Sequence, residues 1–207
     1  MYDNRTKSPY IEDLRPESVE EAVGVIARGM RDNPLHIAAY GDDPGRRLHC
    51  HALLVRGLFK AAGEQQPICA RRDGKIVGVT GAAPPGTCQP NAKQRLVLLP
   101  TIARLGPRTA ARVGRWFAAW AEHDPDEPHV HLGPLAVDAH LQGQGIGGTI
   151  MEEHCRRLDA APVTGYLETD KPENVRFYER FGYEVVGEAT VIGVRNWFMR
   201  RPARPRP

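Results

Sequence analysis

A glycine-rich segment between residues 142 and 148 is the feature of this sequence that most directly predicts chemistry. The apolar run 135–137 precedes it, and a helix-compatible stretch begins near residue 145. Closely spaced glycines at a helix N-terminus leave several backbone N–H groups without intrahelical partners, and the helix dipole adds positive potential there. We therefore expect this turn to bind a phosphate or pyrophosphate of a nucleotide-bearing cofactor.

Two cofactor classes compete for these glycines. Gly143, Gly145 and Gly148 satisfy the dinucleotide pattern G-x-G-x-x-G, and the acidic residue Glu168 follows at about the expected distance. In a dinucleotide fold, however, the first glycine closes the strand, whereas residues 138–142 intervene here. About sixty residues follow the turn, which is too few for the rest of a doubly wound sheet. The pattern therefore favours another cofactor.

The same turn, taken as Q-x-x-G-x-G from Gln142 to Gly147, resembles the signature of the GNAT superfamily of acetyl-CoA-dependent N-acyltransferases. About thirty residues later, the segment from Asn174 to Tyr183 is similar to the N-x-x-F-Y-x-x-x-G-F/Y block of that family. The resemblance covers residues 130–199. It implies an N-acetyltransferase that uses acetyl-CoA as cosubstrate.

The resemblance also implies where acetyl-CoA binds. Pantetheine would lie along the strand that ends at Val137, and the glycine turn would receive the pyrophosphate. We place the strand bulge of the family at Gly133-Pro134, because proline lacks an N–H and interrupts the ladder. Strands splayed there would leave a backbone N–H near Ala136 or Val137 free to stabilise the oxyanion. The predicted cofactor-binding residues are Leu135, Ala136, Val137, Gln142, Gly143, Gln144, Gly145, Ile146, Gly147, Gly148, Asn174 and Tyr178.

Tyr178 is the predicted general acid. The family places a tyrosine over the sulfur atom at this position, and a phenol of pKa ~10 stays protonated at neutral pH. The alternative is a tyrosine that only packs beside Phe177 and Phe181. Asn174, four residues earlier and on the same helical face, is expected to cap the short helix and to contact the cofactor.

Removal of a proton from the amine is the least determined step. An alkylamine of pKa about 10.4 is almost fully protonated at pH 7, so a general base or a water chain is needed. His129 and His131 occupy alternate positions on the strand beside the expected thioester, and Glu168 lies on the neighbouring strand. We select His131 and Glu168 as catalytic candidates, and each of the three side chains has a structural alternative.

The substrate is expected to be the primary amine of a small molecule. The C-terminal half is most similar to antibiotic-type members of the family, the puromycin N-acetyltransferase-like group. Because no suitably placed residue resembles a covalent nucleophile, we expect direct attack in a ternary complex.

Two other functions stay open, namely a CoA-binding module without turnover and a nucleic-acid-binding protein. The second would use arginines at helical spacing, Arg104, Arg108, Arg112 and Arg115, although a solvated helix face over Trp116 and Trp120 explains them as well.

Composition limits the remaining choices. The chain has 207 residues, of which 41% are hydrophobic and 26% charged, and its net charge of +3 does not demand a nucleic acid partner. Residues 1–7 lack the apolar core of a signal peptide, and no apolar run reaches membrane-spanning length. The four cysteines show no C-x-x-C spacing, so we expect a cytoplasmic protein with reduced thiols and no metal site. His49-Cys50-His51 could supply metal ligands, but it lacks a partner pair of ligands at suitable spacing.

Homodimers are common among similar proteins, and the sequence does not decide whether this chain forms one.

The order of the predicted strands and helices matches the α/β (α+β) fold that the family resemblance implies. We expect a single GNAT domain over residues 1–200, with a mixed central sheet, splayed strands and a helical insertion before the fourth strand, followed by a disordered Pro/Arg-rich tail over 201–207. Strands are predicted at 10–14, 67–70, 75–80, 129–137, 166–169, 183–192 and 196–200. Helices are predicted after a capping box at 18–21, at 45–62, in two stretches between 92 and 123, at 145–159 and at 174–181.

Overall fold

The computed structural model describes residues 8–62 and 67–204. The strands are β1 (Tyr10–Asp13), β2 (Ile68–Arg72), β3 (Lys75–Ala83), β4 (His129–Val137), β5 (Thr164–Thr169), β6 (Glu184–Val191) and β7 (Val194–Arg201). The helices are α1 (Val19–Met30), α2 (Pro34–Tyr40), α3 (Pro44–Ala61), α4 (Ala92–Arg104), α5 (Pro107–Ala121), α6 (Ile146–Ala160) and α7 (Pro172–Glu179). Within these ranges no helix is long and apolar enough to cross a membrane.

One mixed sheet organises the fold, with strand order β1-β2-β3-β4-β5-β7-β6. The pair β4–β5 is parallel, and every other neighbouring pair is antiparallel. Helix α6 makes the crossover between the two parallel strands. This confirms the predicted α/β class, the single domain and the mixed sheet with a helical insertion, α4 and α5, before the fourth strand.

The sheet opens between β4 and β5. Their pairing begins at His129 and Thr164 and ends at His131 and Tyr166, although both strands continue beyond that point. On the other side of β4, Thr80 pairs with Leu135 and Ala82 with Leu132, so β4 carries an extra residue between these pairs. That residue falls at Gly133-Pro134, where the bulge was predicted, and the splay begins at the same place.

Helices cover both faces of the sheet and fix the end of β4 beside the opening. On one face, α1 and α3 pack on β2, β3 and β4 through a cluster that includes Ile26, Val55, Val79 and Ala136. On the other face, α6 packs through Ile146 and Ile150 in a cluster with residues of β2 and β3. Gly78 permits this contact, since a Cβ there would lie 2.7 Å from the Ile150 side chain. The end of β4 is thus fixed between α1 and α6.

Three local expectations need correction. The capping box at 18–21 does not form: Ser18 makes no side-chain cap to α1, and its hydroxyl instead accepts a hydrogen bond from Arg71. Helix α2 was not predicted. Its Leu35 N–H donates to the Asp170 carboxylate, a partner 135 residues away that a local pattern does not contain. The last strand reaches Arg201, which the expected boundary at residue 200 excluded, and residues 205–207 of the tail lie outside the described residues.

Candidate active site

The glycine turn leads directly into α6, as predicted. Gly143 and Gly145 adopt φ angles of 78° and 82°, a region that favours glycine, and Gly145 is the N-cap residue without a side-chain cap. The Gln142 amide donates to the carbonyl oxygens of Gly29 (3.0 Å) and Val137 (3.2 Å), which ties the turn to α1 and β4. The first N–H groups of α6 are therefore presented at the surface of a fixed turn.

The backbone of the turn is open on one side. A Cβ placed on Gly143, Gly145 or Gly148 would meet nothing within 4 Å, so the backbone is open to a ligand on that side. Arg72, which the sequence analysis did not select, reaches the turn from β2, where its guanidinium donates to the Gln144 side chain at 2.8 Å. A cation beside exposed N–H groups favours a phosphate. Arg72 could not be selected from the sequence, because it reaches the turn only through the pairing of β2 in the folded sheet.

The hydrogen bonds of β4 indicate which way its last N–H groups point. Asp138 N–H donates to the Val77 carbonyl of β3 at 3.0 Å. Because N–H groups alternate sides along a strand, the neighbouring N–H of Val137 points away from β3 and into the opening between β4 and β5. Of the two predicted oxyanion donors, the geometry favours Val137 over Ala136.

An ion pair between the buried Asp138 carboxylate and the half-exposed Arg28 guanidinium fixes this strand end. The Arg28 guanidinium of α1 donates to both carboxylate oxygens of Asp138, at 3.2 Å and 3.0 Å through Nε. Burial would raise the pKa of the Asp138 carboxyl, but hydrogen bonding and the charge of Arg28 lower it below its usual range. The carboxylate stays ionised and keeps β4 attached to α1.

Tyr178 belongs to an apolar cluster on the face of the sheet that Leu132 and Leu167 share. Met151 of α6 is also part of this cluster. Tyr178 is 7% exposed, and no hydrogen bond among the described residues occupies its hydroxyl. Burial raises the pKa of Tyr178, and the Asp170 carboxylate raises it further, so the phenol keeps its proton.

Asn174 does not cap α7. The N-cap is Lys171, and Asn174 lies inside the first turn, where its amide donates to the Thr169 hydroxyl at 3.0 Å. The sequence assignment failed because the helix begins earlier, at Pro172, a residue type suited to the first helical position. Asn174 instead connects α7 to the end of β5.

The two selected base candidates are in contact. His131 Nε2 and Glu168 Oε2 are 2.7 Å apart, and the Glu168 side chain is 2% exposed. Burial lowers the pKa of His131, but the charge of Glu168, side-chain contacts with Cys88 and Glu168, and the charge of Asp124 outweigh burial and raise it to about 10. The imidazole therefore holds its proton, while Glu168 Oε1 has no hydrogen-bond partner among the described residues. The geometry favours Glu168 over His131 as the proton acceptor.

Glu168 and Tyr178 approach the opening from opposite faces. His131 pairs with Tyr166, so His131, Tyr166 and Glu168 share one face of the sheet. Leu132 and Leu167, the next residue on each strand, share the other face, and both belong to the cluster that contains Tyr178. The Glu168 carboxylate and the Tyr178 phenol thus lie on opposite faces of the sheet, beside the gap between β4 and β5.

The third candidate, His129, does not hydrogen-bond Glu168 and instead points into a polar cluster that it shares with His131. It is 4% exposed, and its Nδ1 hydrogen-bonds the Glu127 carbonyl at 2.8 Å. One ligand atom from each of Cys88, Asp124, His129 and His131 lies within 4.8 Å of the others. The sequence analysis considered only donors close together in sequence and missed this group, whose members come from β4 and from the loops that flank the helical insertion.

The arginine stripe of the insertion faces outward. Arg104, Arg108, Arg112 and Arg115 are exposed. Beneath them Trp116 is buried, and its ring contacts those of Trp120 and His36 at centroid distances of 5.2 Å. This arrangement matches a solvated helix face over a tryptophan-bearing core.

Comparison with known proteins shows that the chain belongs to the GNAT acetyltransferase family. The model of the acetyltransferase (GNAT) family matches residues 33–183. A structure described as a histone acetyltransferase and related acetyltransferase from Corynebacterium glutamicum is 20% identical with a TM-score of 0.72, covering 97% of this chain and 100% of that one. A Drosophila melanogaster polyamine N-acetyltransferase is 14% identical with a TM-score of 0.64, covering 94% and 99%. A Brucella melitensis family member in complex with acetyl-CoA is 18% identical with a TM-score of 0.55, covering 96% and 90%.

Proposed function

Because this chain belongs to the GNAT acetyltransferase family, whose members use acetyl-CoA, we propose that it transfers an acetyl group to the primary amine of a small molecule by direct attack in a ternary complex. The observation that carries this proposal is the opening between β4 and β5, with Glu168 on one face and Tyr178 on the other. A substrate amine and a departing thiolate need a base and an acid on opposite sides of the reacting carbon.

Acetyl-CoA, when bound, supplies an activated thioester carbonyl at this opening. We propose that the glycine turn from Gln142 to Gly148 holds its pyrophosphate, with Arg72 as an added cation. The strand residues Leu135, Ala136 and Val137 would extend along its pantetheine arm. Asn174 and Tyr178 would border the same arm from α7. The N–H of Val137 would then donate to the carbonyl oxygen as that oxygen gains negative charge.

Two side chains would move protons. Glu168, through its unpartnered Oε1, accepts the proton of the attacking amine, directly or through a water molecule. His131 is a positioning residue that holds Oε2 of the same carboxylate by its ring N–H. Tyr178 donates its hydroxyl proton to the departing sulfur, and no residue of the chain is acetylated.

The small-molecule assignment rests on similarity. It draws on the resemblance of the C-terminal half to antibiotic-type, puromycin N-acetyltransferase-like members, which stays a prediction of the sequence, and on one structural neighbour described as a polyamine N-acetyltransferase. A cytoplasmic location, a homodimer and the absence of a nucleic acid partner stay predictions of the sequence.

Replacement of Glu168 tests the proposal. In the variant Glu168→Gln we expect kcat to fall at least about a hundredfold in a thiol-release assay with a panel of small primary amines, because an amide cannot accept the amine proton. Acetyl-CoA affinity, measured by titration calorimetry, should stay close to that of the wild type. The exposed substitution His49→Gln is the matched control, and it should change neither quantity. Tight acetyl-CoA binding by the wild type without amine-dependent thiol release would favour the CoA-binding module instead.

A further inference from the structure

A four-donor cluster lies at the base of the helical insertion. Cys88 belongs to the loop between β3 and α4, Asp124 to the loop between α5 and β4, and His129 and His131 to β4 itself. Each contributes one ligand atom, and these four atoms all lie within 4.8 Å of one another. A sulfur, a carboxylate oxygen and two imidazole nitrogens form a ligand set that tetrahedral zinc accepts.

Three of these atoms are buried without a hydrogen-bond partner among the described residues: His129 Nε2, His131 Nδ1 and Asp124 Oδ1. His129 is 4% exposed, so its free nitrogen is withdrawn from water and directed into the cluster. A buried polar atom without a hydrogen bond is costly, and the 3.6 Å ion-pair contact of His131 Nδ1 with Asp124 Oδ1 offsets that cost for only two of the three atoms. A ligand shared by all of them would remove that cost.

The other polar atom of each side chain is already engaged. The His129 Nδ1–H donates to the Glu127 carbonyl at 2.8 Å, and the His131 Nε2–H donates to Glu168 at 2.7 Å. Asp124 Oδ2 accepts from the Gln89 amide at 2.6 Å. These outer contacts fix each ring and leave its other nitrogen facing the cluster, which is the arrangement found around protein metal sites.

The distances are close to those that zinc requires. Zinc bond lengths of about 2.0–2.3 Å place neighbouring tetrahedral ligand atoms about 3.3–3.8 Å apart. His131 Nδ1 and Asp124 Oδ1 are 3.6 Å apart, which is an ion-pair distance while the imidazole is protonated. The same spacing suits two ligands of one zinc ion, whose binding would displace the Nδ1 proton to solvent. Small side-chain movements would bring the remaining atoms to the same spacing.

We propose that Cys88, Asp124, His129 and His131 bind a zinc ion in a closed, four-ligand structural site. Such an ion would attach both ends of the insertion to the central strand, because the ligands come from the loop before α4, the loop after α5 and β4. It would also hold His131, and through it the Glu168 carboxylate. The inference is independent of the proposed acetyl transfer.

Metal titration of the purified, untagged protein tests this site. The protein is freed of metal with a chelator under reducing conditions and titrated with Zn²⁺ in competition with a chromophoric chelator. We expect about one equivalent to bind with a Kd below about 10⁻⁷ M. In Cys88→Ser and Asp124→Asn the affinity should fall at least about a hundredfold, whereas His49→Gln, an exposed histidine outside the cluster, should bind like the wild type.

Cobalt substitution reports the ligands directly. Co²⁺ in the wild type should give the intense visible bands of tetrahedral coordination and a thiolate charge-transfer band, and Cys88→Ser should lose the latter. Circular dichroism of the metal-free variants checks that they fold, and zinc should raise the melting temperature of the wild type more than that of either variant. Binding well below one equivalent, a six-coordinate cobalt spectrum, or wild-type zinc affinity in both variants would overturn the proposal.

Discussion

At the scale of single residues, the surroundings of Tyr178 keep its phenol protonated. Burial raises the pKa of Tyr178, so the phenol remains neutral across the physiological range. Transfer of that proton to a free thiolate of pKa about 8.5 is uphill, and burial of the thiolate in the same apolar cluster would offset part of the difference. Tyr178 therefore suits a proton donor that acts only as the carbon–sulfur bond breaks.

Removal of the Tyr178 hydroxyl should separate catalysis from binding. In Tyr178→Phe we expect kcat to fall about a hundredfold or more, because the proton donor is lost, while the Kd for acetyl-CoA changes less than about threefold. Steady-state kinetics and calorimetry measure the two quantities.

Tyr183→Phe is the matched control. Tyr183 is also buried, but its hydroxyl contacts His154 Nε2 at 3.0 Å. This variant should lose about 1–3 kcal/mol of stability and keep its kcat. If Tyr178→Phe lowered affinity and kcat equally, the hydroxyl would be a binding group and not an acid.

At the scale of elements, local patterns were enough to predict the part of the site that is continuous in sequence. The strand β4, the glycine turn and α6 follow one another, and each carries its own signal, so their order and bounds agreed with the structure. The bulge at Gly133-Pro134 was also predictable, because proline cannot join the ladder.

Contacts between distant segments were not predictable in this way. Helix α2 begins where Leu35 meets Asp170, and the cluster of Cys88 with Asp124 and His131 joins three separate segments. The sequence supplied His131 and Glu168 as alternatives. Only the parallel register of β4 and β5 brings them together as one pair.

The backbone conformation of the turn gives a prediction at this scale. Gly145→Ala places a side chain at a φ of 82°, which costs about 1–2 kcal/mol of stability and distorts the first turn of α6. We expect acetyl-CoA affinity to fall about tenfold, because the exposed N–H groups lose their common direction.

Gly74→Ala is the matched control for backbone strain. Gly74 has a φ of 80° in the hairpin between β2 and β3, again with nothing within 4 Å of its Cβ position. It should lose similar stability and keep its affinity. Chemical denaturation and calorimetry measure both effects, and equal affinities in the two variants would show that the turn does not bind the cofactor.

At the scale of the whole molecule, several buried histidines couple folding to pH. Burial lowers the pKa of His51 to about 3 and that of His154 to about 4, and it also lowers the pKa of His36. The unfolded chain binds these protons near pH 6.5, whereas the folded protein does not. Their contribution to stability is therefore complete above pH 6.5 and is lost progressively as the pH falls toward the folded values.

Between pH 7.5 and pH 5 we expect each of His36, His51 and His154 to lower the free energy of unfolding by about 2 kcal/mol. The raised pKa of His131 acts in the opposite direction and offsets part of this fall. Urea denaturation in the presence of a chelator measures this without a metal contribution. His154→Gln should reduce the slope, and the exposed His49→Gln should leave it unchanged. A stability that stays constant over this range would contradict the neutral, buried state of these rings.

The whole fold brings the glycine turn, the end of β4, Glu168 and Tyr178 to one opening, and the central proposal is direct transfer between two bound substrates. The measurement that tests it most directly is an initial-rate study in which acetyl-CoA and a small primary amine are both varied, with mass analysis of the enzyme and the product. We predict intersecting reciprocal plots, an N-acetylated amine formed one-to-one with free CoA, and no acetylated enzyme. Parallel plots with an acetyl group on the protein, for which Cys88 would be examined first, would contradict the account.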